Sequence, residues 1–175
     1  KIERVEEKEE EVKLRGLCGN EEERERVGKW IKQGLKGITI EKLLNKEKRL
    51  SVEEKIEVLL NGIEVGKEAR RKARGNEIVL VLGNTGAGKS TMINALCGEE
   101  MERRKIGGGE VWCPKGKGVV EVGHGEKSQT FVPEIVGDRE GEQVYADCPG
   151  FMDSRGSEIN IANAVNIREM IRAAK

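Results

Sequence analysis

One stretch, positions 83–91, carries the residues best suited to a binding or catalytic role. It reads Gly-Asn-Thr-Gly-Ala-Gly-Lys-Ser-Thr. It fills every fixed position of the phosphate-binding pattern G-x-x-x-x-G-K-[ST]. Glycines let successive backbone N–H groups turn toward an anion, Lys89 can reach the outer phosphates, and the Ser90 hydroxyl is a suitable ligand for Mg²⁺. The alternative is a glycine-rich turn that binds nothing. We expect a nucleoside triphosphate to bind at Gly83, Asn84, Thr85, Gly86, Ala87, Gly88, Lys89, Ser90 and Thr91.

The elements that must position this loop are a strand before it and a helix after it. Residues 78–82, Ile-Val-Leu-Val-Leu, form an apolar run typical of a buried parallel strand, and residues 92–97 begin a helix. The next segment, residues 99–125, is rich in glycine and is predicted to be irregular, with one strand at 119–122. The sequence therefore places the loop between a strand and a helix, the context that a phosphate loop requires.

A second chemical motif, Asp147-Cys148-Pro149-Gly150, ends a predicted hairpin. Strands at 130–136 and 143–147 are joined by a short turn-rich link, which favours antiparallel pairing. A carboxylate at the carboxyl end of a strand beside a phosphate loop is well placed to act on Mg²⁺; the alternative is a surface Asp-Pro-Gly turn. A final helix is predicted at 159–174 from its apolar spacing.

The two motifs together make the chain resemble the translation-factor-related P-loop GTPases, in which D-x-x-G follows the second nucleotide-facing strand. Within that class the loop and the Asp-x-Pro-Gly-Phe segment are most similar to those of the septins, the chloroplast import-receptor GTPases and the immune-associated GTPases. The resemblance covers about residues 76–160. It implies an α/β fold, the three-layer sandwich of P-loop NTPases with a partial central sheet, here preceded by a small α-helical region. It also implies GTP or GDP and Mg²⁺ as ligands.

The resemblance assigns roles to individual residues. Asp147 would bind Mg²⁺ through a water, and the Gly150 N–H would sense the γ-phosphate. Thr130, with Ser128 as the reserve, would close over Mg²⁺ when triphosphate is bound, although a Thr that starts a strand can also be purely structural. The implied metal set is Ser90, Thr130 and Asp147, and the implied catalytic pair is Lys89 and Thr130.

The residue after Gly150 predicts slow hydrolysis. Ras-like enzymes carry a Gln there to orient the attacking water, whereas Phe151 has no hydrogen-bonding group. Family members with an apolar residue at this position often obtain catalysis from a partner, commonly a second copy of the domain, so a homodimer through this domain is expected. His124 and Arg139 are candidates to assist, with the alternative that each is a solvated loop residue.

Selectivity for guanine rests on the resemblance alone. The Asn/Thr-Lys-x-Asp segment that binds guanine in this class does not follow Gly150, and residues 45–48, Asn-Lys-Glu-Lys, match it only superficially because Lys48 offers no acceptor to the base. We expect these 175 residues to be an N-terminal portion of a longer protein, or a short product lacking the second half of the domain. Either case would leave a parallel strand edge uncovered.

The first 75 residues differ in kind from the rest, which divides the chain into a helical region at 1–75 and a nucleotide-binding domain at 76–175. Residues 1–14 predict a solvated helix or a frayed tail, and a short helix follows that ends near Gly34. Thr39 is predicted to cap a helix that runs to about residue 48.

A longer helix is predicted from a capping box at Ser51 and Glu54 into a basic cluster before Gly75. The basic cluster would interact favourably with the dipole at the carboxyl end of the helix. The alternative interpretation is that it contacts an acidic partner or lipid. We expect this region to contact a protein partner. The predicted inward stripe of the helix is Val52, Ile56, Leu59, Leu60 and Ile63.

Composition narrows the function classes. Lys plus Arg and Asp plus Glu number 32 each, so the overall charge favours neither nucleic acid nor an anionic membrane. The cysteines lack metal-ligand spacing and no apolar run approaches the roughly 20 residues of a membrane span, so a soluble, cytoplasmic protein is expected. We predict a GTP-binding switch with slow, Mg²⁺-dependent hydrolysis. The alternatives are a non-catalytic helical interaction or scaffold protein with a degenerate or structural nucleotide site, and an ATP-binding P-loop protein.

Overall fold

A computed structural model describes residues 3–45, 47–106, 108–122, 130–151 and 155–175, with side chains from residue 9 onward. The fold is mixed α/β, with an N-terminal helical region and a small mixed sheet that contains one parallel pair. The chain divides into a helical unit, Lys1–Val65 with Ser154–Ala162, and a sheet unit, Gly66–Asp153 with Asn163–Lys175. No helix within the described ranges is long and apolar enough to cross a membrane. The functional division at residue 75 stays a prediction.

The helical unit is built from helices that surround a small aliphatic core. Val27, Ile40 and Val58 are fully buried, and Trp30 is nearly so. The second helix begins after Asn20, whose side chain accepts the Glu23 N–H at 2.8 Å and so satisfies a free donor of the first turn. The helices of this unit are α1 (Glu3–Gly16), α2 (Glu21–Lys32), α3 (Gly37–Leu44) and α4 (Val52–Val65).

The predicted cap of α3 is wrong. Thr39 lies inside the helix, fully buried, and the N-cap is Lys36, which makes no side-chain cap bond. Asn61 of α4 takes over the role of a cap at the start of α3. Its Oδ1 accepts hydrogen bonds from the Lys36 N–H at 2.9 Å and from the Thr39 hydroxyl at 2.8 Å. Its Nδ2 donates to the Gly34 carbonyl at 3.0 Å. A side chain from a neighbouring helix therefore fixes the start of α3, which sequence-local capping rules do not anticipate.

The capping box of α4 is confirmed, but its inward face is not the predicted one. Ser51 and Glu54 exchange hydrogen bonds at 2.8 and 3.2 Å. Val58, Asn61 and Gly62 are the buried positions. Three residues of the predicted stripe instead form an exposed apolar face with 68%, 50% and 60% of their surface accessible, namely Val52, Ile56 and Leu60.

The sheet unit contains a three-stranded sheet with the order β1-β5-β4 and a separate two-stranded hairpin, β2-β3. β1 runs parallel to β5, and β4 runs antiparallel to β5, as predicted. β1 has one unpaired edge among the described strands, which also agrees with expectation. The elements are α5 (Lys67–Ala73), β1 (Ile78–Val81), α6 (Lys89–Leu96), β2 (Met101–Ile106), β3 (Gly109–Pro114), β4 (Glu134–Gly137), β5 (Val144–Asp147) and α7 (Ser157–Ala173), of which α7 contributes to both units.

Helices cover both faces of the three-stranded sheet. Alternate strand residues point to opposite faces, and they join different clusters. One cluster places Ala146 of β5 with residues of α5 and α7, among them Ala69 and Met170. The other places Val81 of β1 with Ile93 of α6.

The longer predicted helix is interrupted at Gly66, which separates α4 from α5. A Cβ on Gly66 would lie 2.1 Å from the Asn166 side chain of α7, so only glycine permits this close approach.

Two predictions for the segment after α6 are wrong. The stretch expected to be irregular forms the β2-β3 hairpin, in which Arg103 pairs with Trp112 and its guanidinium lies 4.9 Å from the centre of the indole ring. The expected strand at 119–122 is absent from the described structure; Val119 and Val120 form hydrogen bonds with Asn94 of α6 instead.

Strand β4 begins later than predicted, at Glu134, so Thr130 precedes the strand. Pro133 explains the boundary because it has no N–H to donate to the strand ladder.

Candidate functional site

The loop at 83–91 has the predicted strand-loop-helix context, between β1 and α6. Gly86 and Gly88 have φ angles of 79° and 81°, in the left-handed region, and a Cβ built on either would meet nothing within 4 Å. The restriction to glycine here is therefore conformational. Thr91 lies in the first turn of α6, directly after Ser90. The loop leads into the N-terminus of a helix, the arrangement that favours an anion.

The Lys89 side chain lies over the loop that precedes it. Its Nζ donates to the Asn84 carbonyl at 2.8 Å and to the Gly83 carbonyl at 3.2 Å. Burial lowers the pKa of the Lys89 ammonium, and the nearby Asp147 carboxylate opposes this shift. Because an ammonium has three donors, one remains for a ligand beyond these two carbonyls.

Ser90, Asp147 and Thr130, the predicted metal residues, lie together. The Ser90 hydroxyl donates to Asp147 Oδ2 at 2.7 Å, and the Thr130 hydroxyl lies 3.4 Å from the same oxygen. Parallel pairing of β1 with β5 sets Val81 opposite Asp147, which brings the carboxylate beside the loop that follows β1.

The Asp147 carboxylate is almost completely buried, with 1% of its surface accessible. Burial raises its pKa, as does the charge of Glu134, whereas the hydrogen bonds from Ser90 and Thr130 and the charge of Lys89 lower it. Its second oxygen, Oδ1, is buried and has no hydrogen-bond partner in the described part of the chain. A buried carboxylate oxygen in this position can accept a hydrogen bond from a metal-bound water.

Gly150 packs directly against the phosphate loop. A Cβ on Gly150 would lie 2.4 Å from the Thr85 Oγ1 and 2.5 Å from the Thr85 backbone N, so no larger residue fits. The next residue continues the contact, since the Phe151 N–H donates to the Gly83 carbonyl at 3.1 Å and Phe151 forms a parallel β-bridge with Asn84. The two motifs are therefore in direct backbone contact.

Several predicted residues lie elsewhere or outside the described ranges. Arg139 pairs with Glu99 at 3.3 Å in the turn between β4 and β5. That turn precedes β5, whereas Asp147 ends it, so Arg139 lies at the opposite end of the strand from the site. His124 and Ser128 fall in residues 123–129, outside the described structure.

Sequence reasoning overlooked Asn94. This fully buried side chain accepts the Val119 and Val120 N–H groups and donates to the Ser90 and Val120 carbonyls, with distances of 2.7 to 3.3 Å. It fixes the segment after β3 to the helix that carries Ser90. The only signal in the sequence is an Asn between two apolar residues of a short helix, Ile93 and Ala95.

Cys148 lies beside Asp147 and is also fully buried. Burial raises the pKa of its thiol to about 12, with a smaller contribution from the neighbouring carboxylate. The thiol is therefore neutral at physiological pH and is a poor nucleophile.

The residues present fit a phosphate ligand with Mg²⁺. The glycine-rich loop and Lys89 are suited to bind phosphate oxygens. The unpaired Asp147 Oδ1 is suited to bind a water of the Mg²⁺. The described residues contain no cluster of three or more His, Cys, Asp or Glu that could hold a metal. Mg²⁺ would therefore depend on ligand oxygens and water to complete its coordination, which is its usual behaviour.

Comparison with known proteins adds no assignment. No protein-family model matches the chain, and no curated protein or solved structure is similar to it at a significant level.

Proposed function

We propose that this chain is a GTP-binding switch that hydrolyses GTP slowly and requires Mg²⁺. The observation that carries the proposal is the 2.7 Å hydrogen bond from Ser90 at the end of the phosphate loop to Asp147 at the end of β5. Two motifs separated by more than 50 residues in sequence meet where a Mg²⁺-nucleotide would need them. Helices on both faces of the sheet support the finer fold proposal, a partial three-layer sandwich of the P-loop NTPase type.

Each residue of the site has a binding or positioning task in this proposal. The loop N–H groups and Lys89 bind phosphate oxygens, while Ser90 and Thr130 offer hydroxyl oxygens to the metal. Asp147 holds the Ser90 hydroxyl through Oδ2 and keeps Oδ1 for a water of the metal shell. Bound Mg²⁺ would supply neutralisation of the negative charge on the outer phosphates.

The residue after the second motif supports slow hydrolysis. The Phe151 side chain cannot orient a water, and its backbone N–H is already donated to the Gly83 carbonyl. The side chain is nevertheless 47% exposed, so it lies at the surface next to the site. A second copy of the domain, or another partner, would then provide the missing catalytic group.

The choice of GTP over ATP has no support beyond the resemblance, so the test must vary the base. Fluorescent GTP and ATP analogues titrated with Mg²⁺ and with EDTA should give tight binding of the guanine analogue in Mg²⁺ only. Lys89→Ala should lose most of this affinity, whereas the matched control Lys105→Ala on strand β2 should keep it. Failure of the folded wild-type protein to bind either analogue would refute the proposal, and preference for the adenine analogue would make it an ATP-binding protein.

A second candidate function is favoured by one observation, the exposed apolar face of α4 formed by Val52, Ile56 and Leu60. Such a face is typical of a helix that binds a protein partner. In this case the chain would be an interaction protein and its nucleotide structural. Single-turnover hydrolysis separates the two functions, because a structural nucleotide would remain intact and would not exchange.

A further inference from the structure

The hydroxyl of Thr85 is a second orphaned polar atom at the site. Its Oγ1 is buried and forms no hydrogen bond with any of the described residues. Buried hydroxyls are normally paired, and an unpaired one in a native fold requires an explanation. The fold itself does not need this hydroxyl for any described contact, so a ligand is the natural partner.

The Thr85 hydroxyl lies beside the second motif, close to Gly150. Pairing of β1 with β5 sets Val81 opposite Asp147, yet the next bridge sets Asn84 opposite Phe151. Three steps from Val81 to Asn84 thus match four from Asp147 to Phe151, so the second segment carries one extra residue. Within this segment the Gly150 backbone lies against Thr85, whose Oγ1 would lie 2.4 Å from a Cβ on Gly150.

We propose that Thr85 is the residue that distinguishes triphosphate from diphosphate in this chain. Its hydroxyl donates a hydrogen bond to an oxygen of the terminal phosphate, beside the Gly150 N–H. This inference rests on the proposed function, in which Gly150 adjoins that phosphate. It goes further because it assigns a task to a side chain, whereas the general loop pattern requires only the backbone at this position.

The expected effect follows from the charge of the acceptor. A hydrogen bond to a charged group is stronger than one between neutral groups, and its loss should weaken triphosphate binding roughly 10- to 100-fold. Diphosphate lacks the terminal phosphate, so its affinity should change less than about 3-fold. In the nucleotide-free protein the hydroxyl has no described partner, so its removal should leave the melting temperature unchanged or raise it.

Two variants separate the hydroxyl from the bulk of the side chain. Thr85→Val keeps the branched shape and removes the hydroxyl, whereas Thr85→Ser keeps the hydroxyl and removes a methyl group. We expect Thr85→Val to lower the ratio of triphosphate to diphosphate affinity and Thr85→Ser to preserve it. The same ratio in wild type and Thr85→Val would overturn the inference. So would equal losses in both variants, which would indicate that Thr85 only packs against Gly150.

The experiment measures dissociation constants by isothermal calorimetry for a non-hydrolysable GTP analogue and for GDP, both in Mg²⁺, with melting temperatures of the nucleotide-free proteins. Lys89→Ala is measured in parallel so that the two proposals can fail separately. If wild type binds and Lys89→Ala does not, while Thr85→Val behaves as wild type, the inference about Thr85 alone is wrong. If wild type binds neither nucleotide, both proposals are wrong.

Discussion

Replacing Asn94 by alanine should strongly destabilise the sheet unit. The side chain makes four hydrogen bonds, to the backbone of Ser90, Val119 and Val120, and is itself fully buried. The Ser90 carbonyl keeps its helical partner, but the N–H and carbonyl of the buried Val120 would lose theirs. At about 1–3 kcal/mol for each of these two buried groups left unpaired, the expected loss is about 2–6 kcal/mol. That is a large share of the roughly 5–15 kcal/mol that stabilises a typical domain.

Urea denaturation followed by circular dichroism measures this loss, with the m-value checked for a change in the unfolded surface. Asn76→Ala is the matched control, because the Asn76 side chain is exposed and donates one hydrogen bond, to the Lys72 carbonyl at 2.8 Å. We expect the control to lose less than about 1 kcal/mol. A similar small loss in Asn94→Ala would refute the conclusion that this side chain holds the segment after β3 to α6.

Three further predictions concern the site. Phe151→Gln should leave triphosphate affinity within about 3-fold of wild type while Lys89→Ala removes most of it, which fluorescent-nucleotide titration will check. Burial raises the pKa of Asp147 in the folded protein above its unfolded value of about 3.9, so ionisation of this carboxyl lowers the stability of the fold. This loss of stability is absent below pH about 3.9 and is complete once the pH exceeds the pKa of the folded state. Asp147→Asn should thus reduce the fall in melting temperature of the nucleotide-free protein as pH rises from about 4 to 7, yet abolish the Mg²⁺ dependence of nucleotide binding. Cys148, with a thiol pKa of about 12 and full burial, should resist iodoacetamide at pH about 8 until the protein is unfolded, as mass spectrometry of the alkylated peptides would show.

The contact between the two motifs could be predicted because each of its parts is fixed locally. The glycines, Lys89 and Ser90 form one contiguous pattern, and the apolar run before them specifies a strand. A hairpin that ends at Asp147 then has few ways to join that strand, and parallel pairing sets the carboxylate beside the loop. The start of β4 was predicted too early, at residue 130, although Pro133 explains the observed start because proline cannot donate to a strand ladder.

The inward face of α4 could not be read from its apolar spacing. Val52, Ile56 and Leu60 follow the helical period as well as any core stripe does. The structure buries another face because Asn61 forms three hydrogen bonds, two with the segment between α2 and α3 and one with Thr39 inside α3. Which of two apolar faces turns inward thus depends on a polar contact between elements distant in sequence, and periodicity carries no information about it.

The hairpin β2-β3 escaped prediction for a different reason. Its strands alternate charged and apolar residues weakly, and glycines at the turn favour an irregular interpretation. Its pairing is stabilised across the strands, by Arg103 over the Trp112 ring and by the 3.7 Å ion pair of Arg103 with Glu110. Each of these contacts joins one strand to the other, so the residue pattern within either strand alone does not reveal it.

The parts of the site do not support the proposed function equally. Gly150 has a structural reason that needs no ligand, because its backbone packs against Thr85 and leaves no room for a side chain. Lys89 likewise has partners within the loop itself. The Asp147 Oδ1 and the Thr85 hydroxyl have no partner of this kind within the described structure. Burying both without a ligand would lower the stability of the fold. These two unpaired atoms of the site therefore support a bound phosphate and metal, in addition to the 2.7 Å hydrogen bond between Ser90 and Asp147 that carries the proposal.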